Sequence, residues 1–417
     1  MWCNRVLEVD LTSGRIEFHT LKEEFLRRYV GGRSLGVKLF ADFGIVEPEE
    51  APLVLAAGPL APYAAPAASR ISLVSRSPLT RTIFDSNAGG SLSIRLKNSG
   101  LDAVIIRGKA RKPAVIKISP SGAFVENASD LCNATVGEFT AKLPRNASSA
   151  VVGPAAFLGF RYASVMVDRH NAFGRGGLGR LFALKNLKAV VVEAPLKVRK
   201  PVQKKRYEES AKAILRLFTA SPAVKALSLM GTPFLVRITN WLSILPIENF
   251  RKSASSDVER LCAENIPAEF SGRKAGCFAC PIRCKRRKGE SAAPEFETIA
   301  LLGASCGVFD YAAIFEANRL ANEMGVDTIS LGGTLAAFFE LHGLRPNGKA
   351  LIETVRKLFS ISSELETLKE GAYAFCEKEG NVGAAMCVKR LELPGYAPRG
   401  TTGMVLAYAT SNRGGCH

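Results

Sequence analysis

Hydrophobic residues follow two different patterns along the chain. In residues 1–195 they form short runs rich in β-branched residues, with Gly, Pro, Asn or Asp at the ends of the runs, which is typical of β-strands. The runs are "RISLVSRS" (70–77), "DAVIIRG" (102–108), "AVIKIS" (114–119), a run around 150–153 and "LKAVVVEA" (187–194). Their spacing predicts antiparallel or mixed sheets rather than a regular strand–helix–strand repeat.

The second half of the chain has a helical pattern, with apolar residues three and four positions apart. It is clear in "RYEESAKAILRLFTA" (206–220), "YAAIFEANRLANEMG" (311–325), "TLAAFFELHG" (334–343) and "ALIETVRKLFSIS" (350–362). The polar, proline-containing segment "PLKVRKPVQKK" (195–205) has the composition of a linker. We therefore predict an α+β protein, with a β-rich domain of mixed sheets over residues 1–200 and an α-helical domain over residues 201–417.

Composition narrows the class of protein. The chain has 417 residues, of which 47% are hydrophobic and 23% charged, as in soluble globular proteins. No apolar run reaches the roughly 18–20 residues of a membrane span, and the N-terminus lacks the charge and apolar pattern of a secretory signal. We expect a cytoplasmic protein with no membrane partner.

The formal net charge of +18 leaves several partners open. Such a charge is consistent with a requirement for solubility alone, and also with binding to nucleic acid, to an acidic protein partner or to an anionic cofactor. The basic runs "RKPVQKKR" (199–206) and "RCKRRK" (283–288) contain no aromatic residue, which a nucleic-acid surface would be expected to have. We therefore expect no nucleic-acid partner.

Three of the ten cysteines lie within eight residues, in "GCFACPIRCKRRKG" (276–289). Cys277, Cys280 and Cys284 have the spacing C-x2-C-x3-C, and the other seven cysteines are scattered singly. This distribution favours a metal site over a disulfide framework. Three thiolates are one ligand short of a usual tetrahedral site, and both an iron–sulfur cluster and half of a zinc site fit the spacing.

Three glycine-rich segments stand out in the first half: "GGRSLG" (31–36), "DSNAGGSL" (85–92) and "GRGGLGR" (174–180). None ends in the G-K-[ST] of a P-loop. Any one of them alone is typical of a tight turn. Three within one β-rich domain, two with Arg and one with Asn, favour a phosphate-bearing anionic cofactor, because glycine exposes backbone N–H groups to phosphate.

Long motifs in consistent order resemble the tungsten-containing aldehyde:ferredoxin oxidoreductases. They include "YVGGRSLGVKLF", "SRISLVSRSPLTRTIFDSNAGGSL", "GRGGLG", "LPIENF", "CFACPIRC", "PEFET", "NEMGVDTISLGG" and "GMVLAYATSNRGGCH". The resemblance implies oxidation of an aldehyde to a carboxylic acid. Electrons would pass from a tungsten (or molybdenum) bis-pterin through a [4Fe–4S] cluster to ferredoxin, and a Mg²⁺ ion would bridge the pterin phosphates.

The resemblance also assigns site residues. It implies cluster ligation by Cys277, Cys280 and Cys284, and contacts near the tungsten by Glu297 of "PEFET" and His417 of "RGGCH", which would orient the aldehyde and move its proton. It implies cofactor binding by Arg70, Asn87, Gly89, Arg175, Gly176, Asn322 and Asp327. Asn322 and Val326 of "NEMGVD" replace an Asp and a Leu of the family pattern. Without the resemblance, "NEMGVD" is a helix end followed by a helix start, and Glu297 is an acid in a first helical turn.

The chain also departs from the family pattern. Arg319 stands where an E-x-x-H sequence starting at Glu316 would place histidine, so we predict no intersubunit iron site, and a homodimer is left open. "LFALK" (181–185) replaces a small-residue segment and is expected to crowd a turn near the cofactor.

The largest departure concerns length. The second pterin motif and the fourth cluster cysteine expected from the family are missing, which predicts a complementary C-terminal polypeptide of a split enzyme. Two alternatives are a truncated, non-catalytic remnant that acts as a cofactor-binding or interaction protein, and a zinc or iron–sulfur protein that binds nucleic acid.

Overall fold

The computed structural model describes residues 1–44, 46–360 and 364–416, which form two compact units. The first unit comprises residues 1–157, 163–225 and 276–282, and the second comprises residues 158–162, 226–275 and 283–417. The predicted domain boundary at residue 200 stays a prediction.

The first unit contains two mixed β-sheets, as predicted for the N-terminal half. In its described residues the first sheet has six strands: β1 (Arg5–Asp10), β2 (Arg15–Thr20), β3 (Leu53–Ala57), β4 (Ile71–Arg76), β5 (Ile83–Ala88) and β6 (Ala103–Arg107). Their order is β2-β1-β6-β3-β4-β5. Only the β1–β6 pair of this sheet is parallel. β5 comes last in the strand order and is therefore an edge strand.

The second sheet of this unit also has six strands in the described part of the chain. They are β7 (Ala114–Ser119), β8 (Gly122–Asn127), β9 (Ala147–Val151), β10 (Val165–Val167), β11 (Asn171–Phe173) and β12 (Leu187–Glu193). The order is β11-β10-β9-β12-β7-β8, and β7 and β12 form its parallel pair. β12 is buried along almost its whole length, which explains its continuous "LKAVVVE" apolar run.

Helices connect the strands of these two sheets or follow them in the chain. They are α1 (Glu23–Tyr29), α2 (Gly32–Ala41), α3 (Leu92–Asn98), α4 (Val136–Ala141), α5 (Pro154–Phe157), α6 (Leu178–Leu184) and α7 (Lys204–Ala220). One apolar cluster joins Leu26, Leu35 and Phe40 of α1 and α2 to Val54 and Val74 of the first sheet. α7 confirms the helix predicted from "RYEESAKAILRLFTA", and none of its residues is buried.

The second unit is mainly helical, as predicted. After α8 (Pro222–Met230), which contains the division between the units, its helices are α9 (Leu235–Trp241), α10 (Ala268–Ser271), α11 (Phe296–Thr298), α12 (Tyr311–Met324), α13 (Thr328–Leu341), α14 (Gly348–Leu358), α15 (Ala372–Lys378) and α16 (Thr402–Thr410). Short strands form two small sheets: β13 (Arg273–Ala275) with β14 (Lys285–Lys288) and β15 (Ser291–Ala292), and β16 (Cys387–Val388) with β17 (Leu391–Glu392). A π-helical segment, Ile299–Gly303, continues α11.

Side-chain caps fix the starts of the three long helices of the second unit. Asp310, Asp327 and Asn347 each accept a backbone N–H from the first turn of α12, α13 and α14, respectively. Such caps contribute about 1 kcal/mol each, because the first N–H groups of a helix have no partner within the helix. Apolar spacing predicted these three helices, and Asp327 was also predicted as a helix start, whereas the caps Asp310 and Asn347 were not predicted. Residues 361–362 of the third pattern lie outside the described residues.

No single helix in the described ranges is both long and apolar enough to cross a membrane. Two sharply bent pairs, Lys204–Ala220 with Pro222–Met230 and Phe296–Cys306 with Tyr311–Met324, meet the criteria on length and composition only.

Candidate functional site

Asn87, on β5, lies at the centre of a polar network in the first unit. β4 places Ser72 opposite it, and the Ser72 hydroxyl donates to Asn87 Oδ1 at 2.6 Å. Asn87 Nδ2 donates to Asp85 Oδ2 at 2.9 Å, and Arg70 Nη2 donates to the Asn87 carbonyl at 3.0 Å. Arg33 Nε forms an ion pair with Asp85 Oδ2 at 2.6 Å. Because both arginines are exposed, their remaining N–H groups are accessible to an anionic ligand.

Gly89 brings the second glycine segment against the cysteine motif. A Cβ atom at Gly89 would lie 2.2 Å from Cys277 Sγ, which is far inside van der Waals contact. Next to this contact, the Phe278 N–H donates to the Gly90 carbonyl at 3.3 Å. Only glycine allows the backbone of residue 89 to approach the thiol this closely. The structure thus joins two motifs that lie far apart in the sequence.

Two residues that the sequence analysis missed support this contact. Asp168 accepts hydrogen bonds at Oδ2 from the backbone N–H of Ser91 at 2.6 Å and from its hydroxyl at 2.9 Å. Cys277 Sγ lies 3.7 Å from Asn171 Oδ1, to which it donates, and Asn171 is buried. The signal that could have found them is their position in "DRHN", directly before "AFGRGGLG".

The third glycine segment packs against the same edge strand. Gly176 has φ of +84°, and a Cβ atom there would lie 2.6 Å from the ring of Phe84 on β5. The Ser77 hydroxyl donates to the Gly176 carbonyl at 2.7 Å. The preceding residue, Arg175, is half-buried. Together with the Arg33–Asp85 ion pair from the first segment, these contacts gather all three glycine segments around β5.

The "LFALK" segment lies mostly in a helix. Residues 178–184 form α6, in which Leu181 and Phe182 are fully buried. Lys185 caps the C-terminus of α6 and is itself 2% exposed, and burial lowers its pKa to about 8. The larger side chains of "LFALK" are therefore packed in the core of the first unit rather than placed in an open turn.

The three motif cysteines are divided between the units. Cys277 and Cys280 belong to the first unit, where the Cys280 N–H donates to the Cys277 carbonyl at 3.1 Å. Cys284 belongs to the second unit, directly before β14, and all three side chains are half-buried. In residues 1–44, 46–360 and 364–416, no three His, Cys, Asp or Glu side chains are grouped to hold a metal ion. The role of these cysteines as cluster ligands stays a prediction.

The basic run after Cys284 forms β14 rather than a solvated loop. Lys285 Nζ pairs with Glu295 Oε1 at 3.2 Å, and Lys288 Nζ lies 4.4 Å from the centre of the Phe270 ring. Arg286 Nη2 donates to the Leu229 carbonyl at 2.6 Å, and partial burial lowers its pKa. At least three of the four bases therefore have contacts within the second unit.

Asp327 and Asn322 lie at the junction of α12 and α13, as the local pattern predicted. Gly325 ends α12 with φ of +73°, and Asp327 begins α13. Asp327 is 6% exposed, and its carboxylate accepts the N–H groups of Ile329 at 3.1 Å and Ser330 at 3.3 Å. Asn322 is half-buried on the last turn of α12. The capping role of Asp327 is confirmed, and pterin binding by either residue stays a prediction.

Glu297 lies in the short helix α11 of the same unit. Its Oε2 accepts the Gly395 N–H at 2.7 Å. Burial, together with the Glu297 charge, raises the pKa of Tyr396 to about 12. The next residue, Thr298, lies beside the start of α13, where its hydroxyl is 2.8 Å from that of Thr328. The second unit therefore brings the Glu297 and Asp327 motifs together, whereas His417 lies outside the described residues.

Models of two protein-family domains match almost the whole chain. The model of the N-terminal domain of aldehyde ferredoxin oxidoreductase matches residues 6–194, and the model of domains 2 and 3 matches residues 209–417. The chain belongs to the aldehyde ferredoxin oxidoreductase family. It is an oxidoreductase of this type, which confirms the resemblance seen in its motifs.

Two individual relatives in the aldehyde ferredoxin oxidoreductase family match this chain over almost its whole length. The tungsten-containing aldehyde ferredoxin oxidoreductase of Pyrococcus furiosus is 35% identical, with 99% of this chain and 73% of the relative covered. The enzyme of the same name from Pyrococcus horikoshii is 36% identical with the same coverage. The BamBC active site complex of benzoyl coenzyme A reductase, solved with 1,5-dienoyl-CoA, has a TM-score of 0.80 at 22% identity, covering 99% of this chain and 69% of that one. This last similarity concerns the fold alone.

One departure from the aldehyde ferredoxin oxidoreductase pattern has a clear structural consequence. Arg319, in place of histidine, donates to Glu316 from Nε at 2.7 Å and from Nη2 at 2.8 Å. These hydrogen bonds lower the pKa of Glu316, and Arg356 Nη2 adds a further bond at 3.2 Å. Glu316 thus takes part in a local ion-pair network.

Proposed function

We propose that this chain oxidises an aldehyde to a carboxylic acid in the manner of the tungsten-containing relatives. Water supplies the second carboxyl oxygen, and two electrons leave for ferredoxin. The observation that carries the proposal is the contact of Gly89 with Cys277, because within the first unit it joins the proposed phosphate-binding segment to one of the proposed cluster ligands. A tungsten (or molybdenum) bis-pterin would supply the redox chemistry.

The first unit has residues whose chemistry fits the anionic part of a pterin cofactor. The guanidinium groups of Arg33 and Arg70 flank Asn87 and are exposed, and planar guanidinium groups bind phosphate in a bidentate manner. Gly89 and Gly176 keep the surface free of side chains that would collide with their neighbours. We assign Arg70, Asn87, Gly89, Arg175 and Gly176 to cofactor binding, with Mg²⁺ held between the phosphates.

Cys277, Cys280 and Cys284 are proposed as ligands of a [4Fe–4S] cluster. Thiolate is a soft donor suited to iron–sulfur clusters, and three half-buried thiols within eight residues fit that donor set. The cluster would pass electrons to ferredoxin. A complementary C-terminal polypeptide is proposed as the source of the fourth ligand, and co-expression with candidate partners tests this part of the proposal.

In the second unit, Glu297 and Asp327 are proposed to face the substrate and the pterin, respectively. The Gly395 N–H fixes the Glu297 carboxyl in place, which leaves it able to orient an aldehyde and accept the proton released on oxidation. In addition to capping α13, the Asp327 carboxylate would accept hydrogen bonds from pterin N–H groups. Asn322 lies on the preceding helical turn. His417 is proposed as the partner of Glu297 in proton handling.

The decisive experiment measures metals and activity in the same preparation, co-expressed with the complementary polypeptide. We expect tungsten or molybdenum with about four irons per chain, and aldehyde-dependent reduction of a dye or of ferredoxin. Glu297→Gln should retain these metals and lose about 100-fold or more in kcat. Glu377→Gln, which alters an exposed carboxylate on α15, is the matched control.

Each contrary result favours one alternative. Zinc alone in the protein would refute the proposal and favour the zinc-binding alternative. Bound pterin and iron without turnover on any aldehyde would favour the non-catalytic cofactor-binding protein. A homodimer would appear as a doubled mass in solution and leaves the chemical proposal unchanged.

A further inference from the structure

A cavity of about 320 Å³ lies within the second unit, and none of the site residues assigned above lines it. It is formed by the turn at Glu248–Arg251, the segment at Ser305–Gly307, the side of α13 and the loop that follows α13. Its volume is at the lower end of the range of small-molecule sites. A cavity of about 150 Å³ holds benzene, so a ligand of about six non-hydrogen atoms would occupy roughly half of this cavity.

The turn on one side of this cavity has an unusual backbone. Glu248, Asn249 and Phe250 have φ values of +47°, +50° and +63°, although none of them is glycine. Left-handed backbone costs roughly 1–2 kcal/mol per such residue, so the surrounding contacts must hold the turn in this form. The Glu248 N–H donates to the Ala304 carbonyl at 3.1 Å and the Asn249 N–H to the Ser305 carbonyl at 2.7 Å. The turn and the Ser305 segment are therefore locked together as one wall.

Ser305 gives this wall a polar group that needs a partner. The residue is 1% exposed, and its Oγ forms no hydrogen bond with any residue in the described ranges. A buried hydroxyl without a partner costs about 1–3 kcal/mol compared with a satisfied one. Ser305 lines the cavity, and a small shift of its side chain would let a ligand oxygen accept this hydroxyl and remove the penalty.

Among the described residues that line the cavity, one cation is free to bind an anion. Arg251 is paired with Glu340, and Lys252 Nζ, beside the cavity, pairs with Glu248 Oε1 at 2.8 Å. Arg345 is exposed at the cavity and forms no ion pair with another residue of the described chain. Its guanidinium group can bind a carboxylate in a bidentate manner.

The remaining lining is apolar. Ala336 and Phe339 of α13 and Leu344 of the following loop contribute hydrocarbon surface. Cys306 adds a thiol that already donates to the carbonyl oxygens of Leu301 at 3.3 Å and Gly332 at 3.5 Å. Burial raises the pKa of the Cys306 thiol strongly, so this thiol stays uncharged and unreactive as part of the cavity lining.

We propose that this cavity binds a short-chain carboxylate, with its head on Arg345 and the Ser305 hydroxyl and its tail on Ala336, Phe339 and Leu344. This site does not depend on the tungsten cofactor or on the proposed oxidation.

Isothermal titration of the 417-residue chain with butyrate tests the proposal. Arg345→Gln should weaken butyrate binding about tenfold or more, because a charge-assisted hydrogen bond is lost. Ser305→Ala should weaken it several-fold and leave the melting temperature equal or higher, since the hydroxyl has no protein partner to lose. Arg260→Gln, at a 72% exposed side chain outside the cavity, is the matched control and should bind as wild type does.

Neutral butyramide and inorganic phosphate complete the experiment. Both should bind at least about tenfold more weakly than butyrate, because one lacks the charge and the other the apolar tail. Equal binding of butyramide, undetectable butyrate binding, or unchanged affinity in Arg345→Gln would overturn the proposal. Unchanged affinity in that variant would place any butyrate elsewhere, including at the site of aldehyde oxidation.

Discussion

The two groups of candidate residues are built in different ways. In the first unit, Gly89, Gly176 and Cys277 come from distant segments, and they meet because glycines let the chain approach β5 and the cysteine loop closely. In the second unit, Glu297 and Asp327 lie in or beside the first turns of two helices, where backbone N–H groups hold their carboxylates. The first group should therefore be sensitive to added volume, and the second to changes in hydrogen bonding and charge.

Gly89→Ala should have the largest effect of the substitutions considered for this comparison. A Cβ atom 2.2 Å from Cys277 Sγ forces the cysteine loop to move. Overpacking of this kind costs about 1–3 kcal/mol, and we expect the free energy of unfolding to fall by that amount. Iron content, measured on the same preparation, should fall with it if Cys277 binds the cluster.

Gly403→Ala is the control for added volume. It places a Cβ atom on α16, where no heavy atom outside its sequence neighbours and its own helix's backbone lies within 4 Å. We expect unchanged stability or a gain of about 0.5–1 kcal/mol, because alanine favours a helix more than glycine does. If Gly89→Ala were as stable and as rich in iron as this control, the contact would not be a constraint on the site.

Asp327 allows the capping role to be separated from the proposed pterin contact. Asp327→Ala removes the acceptor of the Ile329 and Ser330 N–H groups, and should cost about 0.5–2 kcal/mol of unfolding free energy. Asp327→Asn keeps a capping oxygen and should lose much less stability, while pterin and tungsten contents fall in both variants because the carboxylate is gone. Full tungsten content in the stable Asn variant would limit Asp327 to capping.

Local sequence signals predicted the second group better than the first. The spacing of Gly325 and Asp327 predicts a helix end and a helix start from short-range chemistry, and the structure has both. Each of the three glycine segments was recognised alone, but their common position around β5 was not predicted. That position depends on the strand order that makes β5 an edge strand, and strand order is set by contacts between distant residues.

The polar residues that surround Gly89 and Asn87 were also beyond the sequence analysis. Asp168 and Asn171 reach the second glycine segment only because β10 and β11 place them there. Arg33 was visible in its own motif, but its ion-pair partner Asp85 lies on another strand. No periodicity along the chain encodes such pairs, since each depends on how two separate segments pack.

The smallest effect concerns the electrostatic coupling of Glu297 with Tyr396. Burial and the Glu297 charge raise the pKa of Tyr396 to about 12, whereas an unfolded tyrosine titrates near 10. The folded protein therefore binds this proton more tightly, so the stabilising contribution is complete below about pH 10 and is lost as pH rises toward 12.

Glu297→Gln should lower the pKa of Tyr396 by less than about one unit, because burial is the larger cause and remains. Ultraviolet titration of tyrosinate absorbance measures the shift, with Tyr396→Phe identifying which of the eight tyrosines is responsible. A tyrosinate titration identical in Glu297→Gln and wild type would show that the carboxyl does not act on its neighbour through charge, and would leave the second group sensitive to hydrogen bonding alone.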